Sequence, residues 1–267
     1  GSDDEDAEDH EDETIEVVLD KTPFYAESGG QVGDMGRIKS DSIDLQVIDT
    51  YKIGDDICHL CKSDIENIDK NINNSYISSI DIERRNKIRA NHTATHLLHK
   101  ALKLVIGEHV QQSGSLVSDN KLRFDLTHYE KLSKEQILEI EKKVNDSIIN
   151  NIKLDILNKK YSEAKKMGAE ALFGEKYGDV VRVINIGDFS IELCGGTHVN
   201  QTGDISLFKI ISESALASGV RRIEAITGQE AINYCNINIE TLNTIKNKLQ
   251  CNTEDVLDKI DGLLDTE

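Results

Sequence analysis

The sequence predicts an α+β protein with a small N-terminal β-barrel, a second domain of helices on an antiparallel sheet, and a helical linker at the C-terminal end. Three observations predict this class. Residues 15–80 are strand-like with many turn residues, residues 81–228 mix helical and strand-like runs, and residues 229–267 are polar and helical in spacing. Such a mixture of elements is typical of helices packed on one sheet.

The first 14 residues are expected to be an acidic, disordered leader. Ten acidic side chains lie between Asp3 and Glu16, which is more than half of the net charge of −18. A block of like charges is normally solvated and lacks a packed core. The net charge of the whole chain therefore does not exclude a nucleic-acid partner.

Residues 15–80 are predicted to form the small barrel. The runs 15–19 and 43–48 have strand patterns, and 43–48 alternates with period two, as a half-buried strand does. Between them, the stretch 22–34 is turn-rich. Glycines at positions 29, 30, 33, 36 and 54 indicate tight turns or close backbone approaches. Short strands separated by such turns favour a small barrel.

Residues 81–228 are predicted to contain three helices, at 81–106, 133–151 and 161–172. Ser133 can cap the second helix, with Gln136 as its capping-box partner. Strands are expected at 121–126, 180–186, 190–193, 205–212 and 222–227. Residues 229–267 are interpreted as a helical linker to a C-terminal region that this sequence lacks.

Composition predicts a cytoplasmic protein with reduced thiols. No apolar run is long enough to span a bilayer and no signal peptide is evident, so no membrane association is expected. The five cysteines are an odd number, which argues against a disulfide framework. Cys58 and Cys61 are explained by a barrel strand rather than by a second metal pair, and Cys235 and Cys251 are predicted to be free.

Two short motifs predict a metal site. In His92-Thr-Ala-Thr-His96, two histidines four residues apart project from the same face of a helix. In Cys194-Gly-Gly-Thr-His198, the two glycines allow the backbone to bend and approach closely. Three imidazoles and one thiolate suit Zn²⁺ in tetrahedral geometry.

The pattern leaves the role of the metal open. Four protein ligands normally close a structural zinc site, whereas catalytic sites keep one position for water. A metallopeptidase helix carries a glutamate directly after its first histidine, and here that residue is Thr93. Ester hydrolysis is therefore more plausible than peptide hydrolysis. A zinc hydrolase acting on a small ester remains an alternative.

The motifs resemble those of alanyl-tRNA synthetase editing domains and of freestanding AlaX trans-editing proteins. The resemblance extends beyond these two motifs to residues 24–34, 112–117, 122–125, 169–179 and 217–225. It covers residues 15–228. The helical tail favours an editing-domain fragment of a synthetase over a freestanding protein, and no segment matches the class II aminoacylation core.

The resemblance implies hydrolytic editing of Ser-tRNA(Ala) and Gly-tRNA(Ala), because binding alone discriminates weakly between such similar amino acids. It implies that His92, His96, Cys194 and His198 bind Zn²⁺ and that Gln112 is an active-site glutamine. Thr95, or alternatively Thr93, could hydrogen-bond the serine hydroxyl or the attacking water. The alternative is a tRNA-binding module whose zinc site is purely structural.

The expected partners are the acceptor end of tRNA(Ala) and the remainder of the synthetase. Arg221 or Arg222 is the candidate for phosphate contacts, whereas Lys209, Arg123, Lys87 and Arg89 are more simply explained as solvated surface charges. The two arginines cannot both face the same way from one strand. Gly195 and Gly196 are further candidates for contact with the tRNA. The group that transfers the proton is not predicted, and a terminal hydroxyl of the tRNA itself could serve.

Overall fold

The computed structural model describes residues 14–41, 43–62, 75–171 and 177–265. Over these residues the protein is α+β, with three antiparallel sheets and five α-helices. The predicted acidic leader lies almost entirely outside the described residues, as do residues 172–176 of one of the family-like motifs.

The strands and helices follow in chain order. They are β1 (Thr14–Val18), β2 (Gly36–Lys39), β3 (Asp44–Ile53), β4 (Asp56–Lys62), β5 (Ile77–Ile80), α1 (Ile82–Ile106), β6 (Gln112–Val117), β7 (Leu122–Thr127), α2 (Lys134–Ile149), β8 (Leu154–Lys160), α3 (Tyr161–Lys166), β9 (Val180–Ile186), β10 (Ser190–Leu193), β11 (Phe208–Ala217), β12 (Val220–Thr227), α4 (Gly228–Leu249) and α5 (Val256–Leu264).

The N-terminal strands form a sheet in the order β1-β4-β3-β2-β5. The predicted barrel is not confirmed, because β1 and β5 lie at opposite edges and are not paired with each other in the described part of the chain. β5 is short and leads directly into α1, which starts two residues later. One face of this open sheet buries its own small core around Phe24, Ile38 and Val47.

Helices α1 and α2 pack on the sheet β11-β12-β7-β6, which confirms the predicted helices-on-sheet arrangement. The main core lies between these layers and includes Leu98, Leu102, Phe124 and Phe208. Asp81 caps α1 by accepting a hydrogen bond from Arg84 N at 3.0 Å. The predicted capping box of Ser133 and Gln136 begins α2. Burial of α1 on most of its faces fixes its histidines in the interior.

The third sheet has the order β10-β9-β8 and packs against α3. The prediction of a helix over 161–172 is wrong in length, because α3 ends at Lys166. Gly168 adopts a φ of +80°, a left-handed conformation that terminates a helix. β8 was not predicted, because its sequence shows no clear alternation of apolar and polar residues.

The C-terminal residues are helical, as predicted, but are divided into α4 and α5. The division occurs at Gln250, whose φ of +49° cannot continue a right-handed helix. No helix in the described ranges has the length and apolarity needed to cross a membrane.

A buried ion pair fixes the loop after β1 to the start of α1. Arg85 Nε lies 3.0 Å from both carboxylate oxygens of Asp34, and its Nη2 donates to Pro23 O at 2.8 Å. Asp34 is almost completely buried and also accepts from Tyr25 N. The same loop carries Gln31, so this pair holds an N-terminal segment against the histidine helix.

We expect Arg85→Met to lower the free energy of unfolding by about 3–5 kcal/mol, because it leaves the buried Asp34 carboxylate without its counterion. Chemical denaturation monitored by circular dichroism measures this. The exposed pair Arg37–Asp44 provides the control, and Arg37→Met should hardly move the midpoint. Equal shifts in the two variants would contradict the role given to the buried pair.

Candidate metal centre and cavity

Four side chains from distant parts of the sequence converge on one point. His92 and His96 lie one turn apart on α1, whereas Cys194 and His198 belong to the loop after β10. Their potential ligand atoms all lie within 4.8 Å of one another, and the three imidazoles are buried. The structure therefore brings together the two motifs identified from sequence, in a group that could hold a metal ion.

The buried side chain of Gln31 orients His92. Gln31 Oε1 accepts a hydrogen bond from Thr197 N at 2.9 Å and lies 2.7 Å from His92 Nδ1. An amide oxygen can only accept hydrogen bonds, so the proton in the contact between Gln31 and His92 is on His92 Nδ1. His92 Nε2 then presents its lone pair to the interior, 3.3 Å from Cys194 Sγ.

Thr93 has a comparable relation to His198. Thr93 Oγ1 lies 3.0 Å from His198 Nδ1 and accepts from Val199 N at 3.2 Å. His198 Nε2 lies 3.4 Å from Cys194 Sγ. Burial, together with the nearby His92, lowers the pKa of His198 to about 3, so this imidazole is neutral. A neutral imidazole held through Nδ1 is the form that binds a metal through Nε2.

Glu192 lies between two histidines of α1. Its Oε1 accepts from His99 Nδ1 at 2.8 Å, and its Oε2 lies 3.2 Å from His96 Nδ1. The latter contact is close, but its angle does not meet hydrogen-bond geometry. Burial alone would lower the pKa of His96, yet the Glu192 carboxylate and the Cys194 sulfur outweigh it and raise that pKa. Glu192 thus stabilises charge on His96.

The Cys194 sulfur lies beside the imidazoles of the three histidines. Burial alone would raise the pKa of its thiol, but the neighbouring His92 and His96 and the close Nε2 contacts of His198 and His92 hold this pKa well below the ordinary value. Gly196 N also donates to the sulfur at 3.3 Å. The environment therefore favours the thiolate, which is the form of cysteine that binds metals.

The loop that carries Cys194 is held by Arg182. Arg182 Nη1 donates to Cys194 O at 2.9 Å and to Gly196 O at 2.6 Å. Gly196 is buried beneath His92, where any side chain would overlap the imidazole. Gly195, by contrast, is exposed and would have nothing within 4 Å of an added Cβ. The double glycine therefore contains one position fixed by packing and one that is not.

Three of the four converging side chains, His92, His96 and Cys194, line a cavity of about 340 Å³. The candidates Thr95, Gln112, Gly195 and Gly196 also line it, whereas Thr93 does not. Thr95 Oγ1 donates to Asn91 O at 2.8 Å, and Gln112 Nε2 donates to Ser115 Oγ at 3.1 Å. Tyr25 also lines the cavity, and burial raises the pKa of its hydroxyl to about 12.

The arginines suggested for tRNA contacts are not among the residues that line this cavity, and each has a carboxylate partner. Arg221 Nε donates to Glu213 Oε1 at 2.5 Å, and Arg222 Nε donates to Asp125 Oδ1 at 2.8 Å. Lys209 lies 2.8 Å from Glu141. Their roles in tRNA binding stay predictions.

Sequence reasoning missed three residues that shape the site, namely Gln31, Arg182 and Glu192. Gln31 lies within one of the family-like motifs, but its contact with His92 spans 61 positions. Glu192 lies two residues before Cys194, and a buried carboxylate beside a metal-binding motif is the signal that could have found it. The cysteines at positions 58 and 61 lie in β4 and belong to neither metal-like cluster of the described residues.

We expect Glu192→Gln to weaken metal binding by about 10- to 100-fold, because a carboxylate that orients a metal-binding imidazole contributes that much to affinity. The measurement is competition for Zn²⁺ with a coloured chelator. Glu170→Gln is the matched control, since Glu170 lies 3.8 Å from His99 but contacts none of the four converging side chains. Unchanged affinity in Glu192→Gln would show that its position is incidental.

Two family models match the chain, and both descriptions name aminoacyl-tRNA synthetases. Residues 181–224 match the threonyl and alanyl tRNA synthetase second additional domain, and residues 2–84 match tRNA synthetases class II (A). The first match includes Cys194 and His198. The second corrects the sequence analysis, in which no class II segment was detected.

The chain is similar to alanine–tRNA ligases over most of its own length. It is 52% identical over 249 residues to that of Francisella tularensis subsp. novicida, and this alignment covers 93% of the chain and 29% of the relative. It is 51% identical over 255 residues to that of Francisella philomiragia, covering 94% of the chain and 29% of the relative. The chain thus spans about 29% of the length of the curated relatives that it matches.

Proposed function

We propose that this protein hydrolyses the ester bond of Ser-tRNA(Ala) and Gly-tRNA(Ala) at the His92–His96–Cys194–His198 group with Zn²⁺ bound. The observation that carries the proposal is the convergence of these four side chains, three of which line a cavity. Homology to alanine–tRNA ligases and the match to the second additional domain support the class of substrate. The four residues are the proposed metal ligands.

The donor set fits Zn²⁺ well. Three imidazole nitrogens and one thiolate match its preference for nitrogen and sulfur, and the Nδ1 contacts of His92 and His198 leave Nε2 facing inward. When bound, Zn²⁺ would polarise the ester carbonyl or acidify a water molecule. The protein's own contribution is to hold the ligands rigidly, with Gln31, Thr93 and Glu192 as orienting partners.

Thr95 and Gln112 are proposed to contact the aminoacyl group. The hydroxyl hydrogen of Thr95 is used by Asn91 O, so its oxygen is left to accept hydrogen bonds. Gln112 uses one amide hydrogen for its bond to Ser115, so its amide oxygen and its second amide hydrogen can still form hydrogen bonds. A serine hydroxyl entering the cavity can donate to Thr95, whereas glycine has no such group.

We expect Thr95→Val to reduce kcat/KM for Ser-tRNA(Ala) by about 10-fold, because the substrate hydroxyl loses its acceptor. Hydrolysis of Gly-tRNA(Ala) should change little. Comparing the two substrates on one variant separates a contact with serine from general damage to the site. An equal loss for both substrates would contradict the assignment of Thr95.

The direct test of the proposal is the rate of release of radiolabelled amino acid from Ser-, Gly- and Ala-tRNA(Ala), with zinc content measured on the same sample. Faster hydrolysis of the seryl and glycyl esters than of the alanyl ester supports editing. Equal rates for all three, or rates no higher than spontaneous hydrolysis, would contradict it.

A tRNA-binding module with a structural zinc site is the second candidate, and the presence of four protein donors favours it. It predicts that removal of the metal lowers the midpoint of thermal unfolding while the metal-loaded protein binds tRNA without hydrolysing it. Hydrolysis that depends on metal in a protein that stays folded without metal would exclude this candidate.

A further inference from the structure

The two arginines proposed from sequence for RNA contacts are already neutralised within the protein, and so is Lys209. Arg221 is paired with the buried Glu213, Arg222 with Asp125 and Lys209 with Glu141. A guanidinium held by a carboxylate offers little net charge to a phosphate, and separating the pair costs energy. A phosphate-binding surface is therefore better sought among cations that lack such partners.

Three such cations lie close together in the chain at the end of β8 and in α3. Lys160, Lys165 and Lys166 are exposed, and no ion pair among the described residues involves them. Helix α3 also carries the exposed carboxylate of Glu163, which makes no ion pair with them. In an acidic protein, this group of lysines is a local excess of positive charge that an RNA backbone would recognise.

A stacked pair of tyrosines joins this basic segment to the metal-centre cavity. Lys165 Nζ lies 5.5 Å from the centre of the Tyr161 ring, and Tyr161 stacks on Tyr177 with centroids 5.8 Å apart and an interplanar angle of 16°. Tyr177 and Val180 line the cavity, and Val180 is paired with Lys160 between β9 and β8. Lys160 thus lies directly beside a residue that lines the cavity.

We propose that Lys160, Lys165 and Lys166, with Tyr161 and Tyr177, form the surface that receives the single-stranded 3′ end of a tRNA. The lysines contact the phosphates, and the tyrosine pair offers an aromatic face to a terminal base, as proteins that bind single-stranded RNA commonly do. The ester at the 3′ end then enters the cavity. The identity of the RNA rests on the proposed function, whereas the surface itself does not require hydrolysis.

The first test measures binding of uncharged tRNA(Ala) at several salt concentrations. In Lys165→Ala/Lys166→Ala, the dissociation constant should rise about 10-fold at low salt and the slope of log K against log[salt] should fall by about 1.4, the value for two contacts to a single strand. Lys131→Ala/Lys134→Ala removes the same charge from exposed lysines outside this surface and should leave both quantities nearly unchanged. Equal effects in the two variants would overturn the proposal.

The second test places 2-aminopurine at the terminal position of the tRNA. Stacking on Tyr177 should quench its fluorescence in the wild-type protein and in Tyr177→Phe, and Tyr177→Ala should lose the quenching. Quenching that persists in Tyr177→Ala would overturn the aromatic assignment. If both tests succeed but no ester is hydrolysed, the proposed function fails and the surface stands; if hydrolysis occurs without these effects, the surface fails.

Discussion

Replacement of His96 by Ala is expected to abolish both zinc retention and deacylation, with a fall in kcat/KM for Ser-tRNA(Ala) on the order of 100-fold or more. His96 is one of only four donors in the convergent group, and its buried ring faces Glu192 on one side and the Cys194 sulfur on the other. Its removal deletes a proposed metal ligand and leaves the Glu192 carboxylate without part of its charge compensation.

The measurement is hydrolysis of Ser-tRNA(Ala) together with metal content for the wild-type protein, His96→Ala and His109→Ala. His109 is exposed, pairs with His128 and lies outside the cavity, so its variant should retain metal and activity. Dialysis of the wild-type protein against a chelator should reproduce the loss, and added Zn²⁺ should restore the rate. Full activity in a metal-free sample would contradict the catalytic role of the metal.

Gly196→Ala is expected to disrupt the metal site, whereas Gly195→Ala should preserve it. The Cβ of an alanine at position 196 would overlap the His92 imidazole and lie 2.8 Å from Gln31 Oε1. Neither glycine has a left-handed φ, so the added methyl group is the only relevant change. His92 would have to turn away from the converging donors or the loop would have to move, and either response separates Cys194 from α1.

The experiment compares zinc affinity of the two variants by chelator competition, with circular dichroism to confirm that both fold. We expect a loss of at least about 10- to 100-fold for Gly196→Ala, comparable with the loss of an orienting partner. Gly195→Ala serves here as a control for metal binding alone. Equal zinc affinities in the two variants would mean that the loop adjusts to the added methyl group and that the close packing of Gly196 on His92 is not needed for metal binding.

Much of this site could be predicted because its chemistry is encoded locally. A helix with His92 and His96 one turn apart places two imidazoles together, and the capping residues of α1 and α2 mark where the helices begin. The meeting of this helix with Cys194 depends on the order of strands in two sheets, which local patterns do not specify. The meeting of the helix with Cys194 was predicted from the resemblance to a known family.

Other features depend on contacts that no local pattern reveals. Gln31 reaches His92 because the Asp34–Arg85 pair fixes their segments together, and neither residue type signals such a contact on its own. The open N-terminal sheet differs from the predicted barrel because closure depends on whether the edge strands meet. From sequence, Arg221 was a candidate for RNA contacts. Its ion pair with Glu213 could not be predicted, because it forms only when β11 and β12 pair.

The most direct test of the account is X-ray absorption spectroscopy of the zinc-loaded protein. The convergence of one thiolate and three imidazoles predicts one sulfur at about 2.3 Å and nitrogen neighbours at about 2.0–2.1 Å, with one zinc ion bound per chain. Cys194→Ser should remove the sulfur contribution. A spectrum without sulfur, or a second sulfur that survives this substitution, would contradict the convergence of α1 and the Cys194 loop on one ion.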